Sequence, residues 1–378
     1  MNMSDQPIRI LQAFVTNDKG GLTGYIAQNY RYIDKSKVQF DFLTHDETPL
    51  DFEEEFTDKG AKFYHIPHPS HPIAYYHALK KILNETDYKA VSFNLSYANF
   101  VSVVLAKMAG ARKIIVHSHS TAIDDKSKLK RSIKRIIHEI GKRIFPIVAD
   151  EFAACSQYAS RWMFTDNIIH GKHFIYARNA IDLSRFRFNR ENRDRLRKEL
   201  EIDPETFCVG HVGRFTYQKN HEYLIDIFHE IVQLHPDSML LLIGGHGAGG
   251  TYEAVMNKIA AYHLEKKVKI LGIRNDVPEL LSVMDCFVLP SRFEGLAIVS
   301  VEAQAAGLHT YQSDIVSPES AITPKATFLS IDQMPLEWAR AVLKNINDER
   351  KNTEEDLVAA GYDIINEIEK IKQFYISL

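Results

Sequence analysis

At 378 residues the chain is longer than a single hydrophobic core usually serves, so two domains of roughly 170 to 190 residues each are expected. Its 45% hydrophobic and 25% charged residues are ordinary for a globular protein, and a net charge of -3 lacks the basic excess of a nucleic-acid binder, so no nucleic-acid partner is expected. Cys155, Cys208 and Cys286 sit in apolar runs without C-x-x-C spacing and suggest buried thiols in a reducing compartment; M-N-M-S-D-Q-P carries no leader pattern and no apolar run reaches the roughly 18 residues of a membrane span, so a cytoplasmic protein is expected.

In chain order, short β-rich runs alternate with helical patterns: I-R-I-L-Q-A-F from Ile8, then Q-F-D-F-L-T-H, A-K-F-Y-H-I-P, A-V-S-F-N-L-S, K-I-I-V-H-S-H, E-F-A-A-C-S and H-F-I-Y-A-R-N. Such alternation predicts βαβ units around a parallel sheet. Gly20 and Gly21 lie between the first strand and the first helix, where backbone can approach a phosphate or sugar at the positive end of a helix dipole. His117 and His119 end a strand and share one face by alternation, either as hydrogen-bonded rim residues or as groups facing a substrate.

Residues Lys126 to Ile144 repeat Leu129, Ile133, Ile136, Ile137, Ile140 and Ile144 at helical spacing, with eight cations and one acid, Glu139, between them. Two readings stand side by side. The stripe is buried in its domain, or the helix lies on an anionic membrane surface, giving a peripheral position on the inner face of the plasma membrane.

The Arg-rich stretch Ser184 to Leu200 reads as a linker plus an exposed helix. A second series of runs follows: F-C-V-G-H-V-G-R, S-M-L-L-L-I-G-G, K-V-K-I-L-G-I, D-C-F-V-L-P-S and H-T-Y-Q-S. Arg214 and Lys219 come directly after the first of them, where a planar fork and a compact charge could stabilise a departing diphosphate. No D-x-D triplet occurs, so no metal and no cofactor is expected. G-H-G-A-G-G (Gly245 to Gly250) fits a dinucleotide pattern literally, but it follows the second strand of its domain and reads better as a flexible glycine-rich loop.

Glu294 and Glu302 flank an interval of small and aliphatic residues after the run ending at Pro290. A helix is expected from near Leu296, with Glu294 at its entrance and Glu302 near its second turn, about 12 Å away at about 1.5 Å per residue. Two carboxylates so spaced suit the hydroxyls at the two ends of a nucleotide sugar, with the N–H groups of Gly295 and Leu296 facing the anion between. A last helical stretch runs from about Glu354 to Tyr375.

The segment from Gly272 to Gly295 and the E-x7-E of Glu294 and Glu302 resemble the retaining GT-B glycosyltransferases of family 4, and the likeness extends over nearly the whole chain. That resemblance implies two Rossmann-like domains facing across a cleft. Residues 1–183 would bind the acceptor, completed by a C-terminal helix (about 354–378) crossing back, and residues 184–353 would bind the donor. It implies transfer of a hexosyl unit from a nucleoside diphosphate sugar, UDP-linked, to a glycan or lipid-linked acceptor with retention, in exopolysaccharide or capsule assembly. Arg214, Lys219, Glu294 and His119 are its catalytic candidates. Gly20, Gly21, Arg274, Gly295, Leu296 and Glu302 are its donor contacts, and Asn179, in Y-A-R-N-A-I-D, its hinge. Ala180 replaces a usual glycine there, and His309 and Thr310 stand where proline and valine are usual, so the loop that follows is expected to differ in shape. A non-hydrolysing nucleotide-sugar epimerase, a nicotinamide dehydrogenase and a non-catalytic partner subunit are the competing readings.

Overall fold

In the computed structural model, which describes residues 6–17, 21–247 and 250–378, the alternating runs form two all-parallel sheets. The first has seven strands, β1 (Ile8–Val15), β2 (Val38–Thr44), β3 (Phe63–His65), β4 (Tyr88–Leu95), β5 (Ile114–Ser118), β6 (Glu151–Ala154) and β7 (Phe174–Tyr176), in the order β3-β2-β1-β4-β5-β6-β7. The second has β8 (Phe207–Val212), β9 (Ser238–Ile243), β10 (Val268–Gly272), β11 (Cys286–Leu289), β12 (His309–Ser313) and β13 (Ala326–Leu329), in the order β10-β9-β8-β11-β12-β13. Helices cover both faces of a parallel sheet, so its strands are buried on both sides: every residue of β2 and of β11 is buried, β11 being apolar throughout and β2 enclosing Gln39, Asp41 and Thr44 as well. Around the first sheet Tyr30, Phe40, Phe42 and Phe56 pack together; around the second, Phe228, Leu240, Leu242 and Trp338 do.

Contacts divide the chain into two units, residues 1–123, 129–180 and 364–378 in one and 124–128 and 181–363 in the other. The last helix, Ile364–Ser377, belongs to the first unit, where Ile364, Ile368, Ile371 and Tyr375 join the core beside Phe40. The two chain passages between units run side by side, Ile181 N donating to Tyr362 O at 2.9 Å.

Three expectations change. The C-terminal stretch is not one helix: Gly361, at φ +81°, breaks it into Glu354–Ala359 in the second unit and Ile364–Ser377 in the first. The edge strand β13 was not foreseen; it is four half-buried residues paired only with β12. The Arg-rich helix, Arg190–Glu199, is not simply exposed. Arg193 and Arg197 both grip Asp285, at 2.6 and 2.7 Å, and donate to the Val283 carbonyl at the end of the Val277–Val283 helix. Among the described residues no helix is long and apolar enough to cross a membrane.

Candidate functional site

In both sheets the strand order reverses beside the first strand, between β1 and β4 and between β8 and β11. Chains leaving neighbouring strands in opposite directions open a crevice there, the usual ligand site of open parallel sheets.

At the exit of β8 the backbone is tightly arranged. Gly244 has φ +152°, and a Cβ on it would lie 2.1 Å from Gly213 O, so only glycine lets the turns after β8 and β9 approach this closely. A Cβ on Gly213 would in turn meet the Lys219 stem at 3.0 Å. Asn220 takes the left-handed conformation at the start of the His221–Leu234 helix, and its Nδ2 donates to Pro290 O at 3.1 Å. That bond ties the exit of β8 to the exit of β11.

The two exits meet in one polar cluster. Lys219 Nζ donates to Glu294 Oε1 at 2.8 Å; Ser291 Oγ donates to the same oxygen at 2.8 Å, and Gln218 Nε2 to Glu294 Oε2 at 2.9 Å. Glu294 is buried and Lys219 half-buried, so the ion pair is shielded from water and each partner neutralises the other. Gly295 and Leu296 fill the turn after Glu294, and the helix begins at Ile298, two residues later than expected. Glu302 stands in its second turn, where burial pushes its carboxyl up to about 7 against the pull of Lys219 and Arg185. Lys219 therefore acts on both carboxylates.

Sequence reasoning missed Ser291 and Gln218, which fix the Glu294 side chain. It also missed Arg292, whose Nη1 donates to Tyr217 O at 2.9 Å and braces the same loop. Arg214 lies in this loop with an exposed side chain. Arg274, after the edge strand β10, is held by Asp276 at 2.7 and 2.5 Å. His309 opens β12 at the end remote from the site, where it contacts Asp348 and Thr327, so that departure falls away from the loop it was expected to reshape. Of the glycine loop at Gly245–Gly250, two residues lie outside the described residues; His246 stacks on Tyr252 at 3.8 Å.

In the first unit Gly20 lies outside the described residues and Gly21 opens the first helix, Gly21–Tyr32. His117 and His119 do share a face, their rings 4.0 Å apart and both against Tyr25. His119 Nε2 bonds Asn94 Oδ1, Asn94 Nδ2 donates to Gln12 Oε1, and Gln12 Nε2 donates to the Tyr375 hydroxyl of the last helix, each at 3.1 Å. Because the Asn94 amide nitrogen is used on Gln12, its oxygen accepts from His119 Nε2–H, which leaves His119 Nδ1 a bare acceptor, buried and without a partner. Burial lowers His119 to about 3, so it stays neutral. Asn179 is buried two residues before the chain enters the second unit, its Oδ1 likewise unpartnered.

A solved structure of Anabaena Alr3699/HepE in complex with UDP and glucose is similar over 98% of this chain and all of that one, with a TM-score of 0.80 and 18% identity. Two parallel Rossmann-like sheets of this order define the GT-B class of glycosyltransferases.

Within that class two family models match in tandem, one described as Glycosyltransferase Family 4 over residues 19–185 and one as Glycosyl transferases group 1 over residues 192–363. The chain belongs to glycosyltransferase family 4. Among similar proteins, the putative glycosyltransferase EpsF of Bacillus subtilis (strain 168) is 28% identical over 96% of this chain and 94% of its own. The UDP-Gal:alpha-D-GlcNAc-diphosphoundecaprenol alpha-1,3-galactosyltransferase of Escherichia coli is 25% identical over 80% and 78%.

Proposed function

We propose that this glycosyltransferase moves a hexosyl unit from a UDP-sugar to a hydroxyl of a lipid-linked or saccharide acceptor, with retention at the anomeric carbon, in the assembly of a cell-surface polysaccharide. The observation that carries the reading is the Lys219–Glu294 pair at the switch point of the second sheet, with Glu302 within the electrostatic reach of the same lysine. A cation acting on two carboxylates suits an activated sugar, whose hydroxyls donate to the acids while its diphosphate seeks the positive charge. The UDP in the HepE complex and the UDP-galactose and diphosphoundecaprenol in the name of the Escherichia coli relative support the donor and acceptor classes.

In this reading the second unit takes the donor. Glu302 accepts from ribose hydroxyls, Glu294 and the Gly295 and Leu296 amides orient the sugar, and Lys219 and Arg214 stabilise the diphosphate, with Arg274 a further donor contact. The first unit takes the acceptor, with His119 Nδ1 the acceptor atom for a substrate hydroxyl, Gly20 and Gly21 beside the phosphates, and Asn179 a hinge. The bond from C1 to the diphosphate oxygen breaks, the acceptor oxygen bonds to C1 on the same face, and the acceptor proton passes to the departing diphosphate. No metal takes part, and the protein works in the cytoplasm. Hydrolysis of a panel of UDP, GDP and ADP sugars without acceptor tests the donor, and proton NMR of the first product formed tests retention. Turnover confined to a GDP or ADP sugar, or an inverted product, refutes the corresponding half.

A further inference from the structure

At the C-terminal ends of β1, β2 and β3 the first unit carries a row of aromatic rings that climbs from core to surface. Phe93 of β4 and Tyr75 of the Pro72–Glu85 helix are wholly buried, Phe14 and His45 are half-buried, and His68 is exposed. The Phe14 ring lies 6.1 Å from Phe93, 6.0 Å from Tyr75 and 4.1 Å from His45, and His45 lies 4.9 Å from His68. The loops beneath are tied together. Asn17 N donates to Asp46 at 2.7 Å and Asn17 Nδ2 to Pro49 O at 3.0 Å, while His65 Nδ1 donates to Asp46 O at 2.6 Å.

The two outer rings have opposite hydrogen-bonding character. His45 Nδ1 lies 3.3 Å from the Ile66 carbonyl, which can only accept, so the hydrogen sits on Nδ1 and Nε2 is an acceptor. His68 Nδ1 accepts from Ser70 N at 3.1 Å, so in the neutral ring the hydrogen sits on Nε2, a donor. Burial holds His45 below the ordinary histidine range and keeps it uncharged. A sugar hydroxyl both donates and accepts, and the carbon face of a pyranose covers an aromatic ring; Phe14, His45 and His68 offer all three contacts. The charge nearby excludes a phosphate. From His45 to Phe56 the chain has six acids and no lysine or arginine, and from Ile66 to Leu79 it has neither.

We infer that Phe14, His45 and His68 form a subsite for a neutral pyranose ring of the acceptor, away from the hydroxyl that reacts. His119 follows β5, and β4 and β1 lie between β5 and β2 in the sheet. Three strand spacings of about 4.8 Å put the row about 14 Å along the sheet edge, farther than one ring reaches. The acceptor therefore already carries two sugars or more. A preceding glycosyl transfer must supply it, and this enzyme extends a glycan rather than starting one. That last step rests on the acceptor placement proposed above, with His119 at the reacting end; the sugar subsite does not.

The test titrates the full chain with methyl galactoside, methyl glucoside and methyl lactoside, and separately with decyl phosphate, following the ring-proton NMR signals of His45 and His68. The glycosides should shift both signals and decyl phosphate neither. His68→Ala, at an exposed position, and Phe14→Leu, which keeps apolar bulk without the flat face, should each weaken glycoside binding about tenfold, the equivalent of one lost contact. No shift with any glycoside, an equal shift with decyl phosphate, or wild-type binding in both variants would each overturn the subsite. With a UDP-sugar donor, kcat/KM should be about tenfold or more higher for two-ring than for one-ring acceptors, and His68→Ala should bring that ratio toward one. Glycoside binding with equal transfer to both acceptors would overturn the extension step alone. Glycoside binding with transfer to no saccharide would overturn that step together with the acceptor class on which it rests.

Discussion

Lys219 Nζ lies 2.8 Å from Glu294 Oε1, so the cation expected to meet a diphosphate and the acid expected to hold a sugar form one buried ion pair. The pair spans the exits of β8 and β11, and Ser291 and Gln218 complete the hydrogen bonding of its carboxylate. Neither member can be altered without changing the charge felt by the other.

Lys219→Ala and Arg214→Ala should therefore part company in stability while agreeing in rate. Each should lower turnover on the order of a hundredfold, the typical loss when one charge-stabilising donor is removed. Lys219→Ala strands a buried carboxylate and should also lower the thermal midpoint by several degrees, at about 2–4 °C per kcal/mol for a chain unit of this size. Arg214 has an exposed side chain, and its removal should lower the midpoint by less than Lys219→Ala does. Parallel turnover and melting measurements check both, and near-normal turnover in either variant removes that residue from the mechanism.

Glu302 gives the site a titration near neutrality. Its carboxyl stands at about 7 in the folded chain against an ordinary 4.5, raised by burial. The protonated form is the one the fold favours, so its contribution to stability is fully present below about pH 4.5 and is lost as pH rises through about 7. Donor binding should run the other way, because only the carboxylate accepts from two ribose hydroxyls. Between pH 6 and 8 donor affinity should rise about tenfold, following the ionised fraction, and Glu302→Gln should flatten both profiles. Calorimetric titration and melting curves at a series of pH values check this, and a wild-type affinity flat over that range counts against the ribose role.

A near-neutral step is usually credited to histidine, yet His119 is held to about 3 by burial and cannot supply it. His119→Gln should lower turnover and keep the pH step of donor binding. Asn94→Ala removes the acceptor that fixes the His119 tautomer and should lower kcat by about tenfold, the equivalent of a lost buried hydrogen bond, with donor affinity little changed. A fall confined to donor affinity would place Asn94 outside this role.

Much of the fold is legible in the sequence because strands buried on both faces appear as short continuous apolar runs, as in β9 and β11. The edge strand β13 has only half-buried residues, so its pattern fades into the surrounding loop. The break at Gly361 is hidden because apolar residues resume at helical spacing from Ile364, although the chain has changed units. At the site, Lys219 and Glu294 are visible as unusual charges at strand ends. Ser291 and Gln218 are not, since an ordinary hydroxyl and amide reveal a role only when the backbone aims them at one carboxylate. The basic helix shows the limit of periodicity: spacing identifies the stripe but not its direction, and here His138, Gly141 and Phe145 take the inner face because Ala98 and Trp162 leave room for a flat ring and a missing side chain.

The last prediction concerns metal. Among the described residues no three histidine, cysteine, aspartate or glutamate side chains come together to hold an ion, and in the proposed reading the charge compensation comes from the chain's cations and amides. With Lys219 offset by Glu294, those two residues and Arg214 together carry a single net positive charge, against the several negative charges of a departing diphosphate. In the proposed reading the remaining stabilisation comes from oriented N–H groups, for which Gly295 and Leu296 are the candidates, since fixed backbone donors need no reorganisation as charge develops. Turnover in EDTA should therefore match turnover in manganese within about twofold, a change of less than about 0.5 kcal/mol in the barrier. Loss of activity in EDTA with recovery on adding manganese would mean that a divalent ion, bound through the diphosphate itself, supplies the charge that these residues lack.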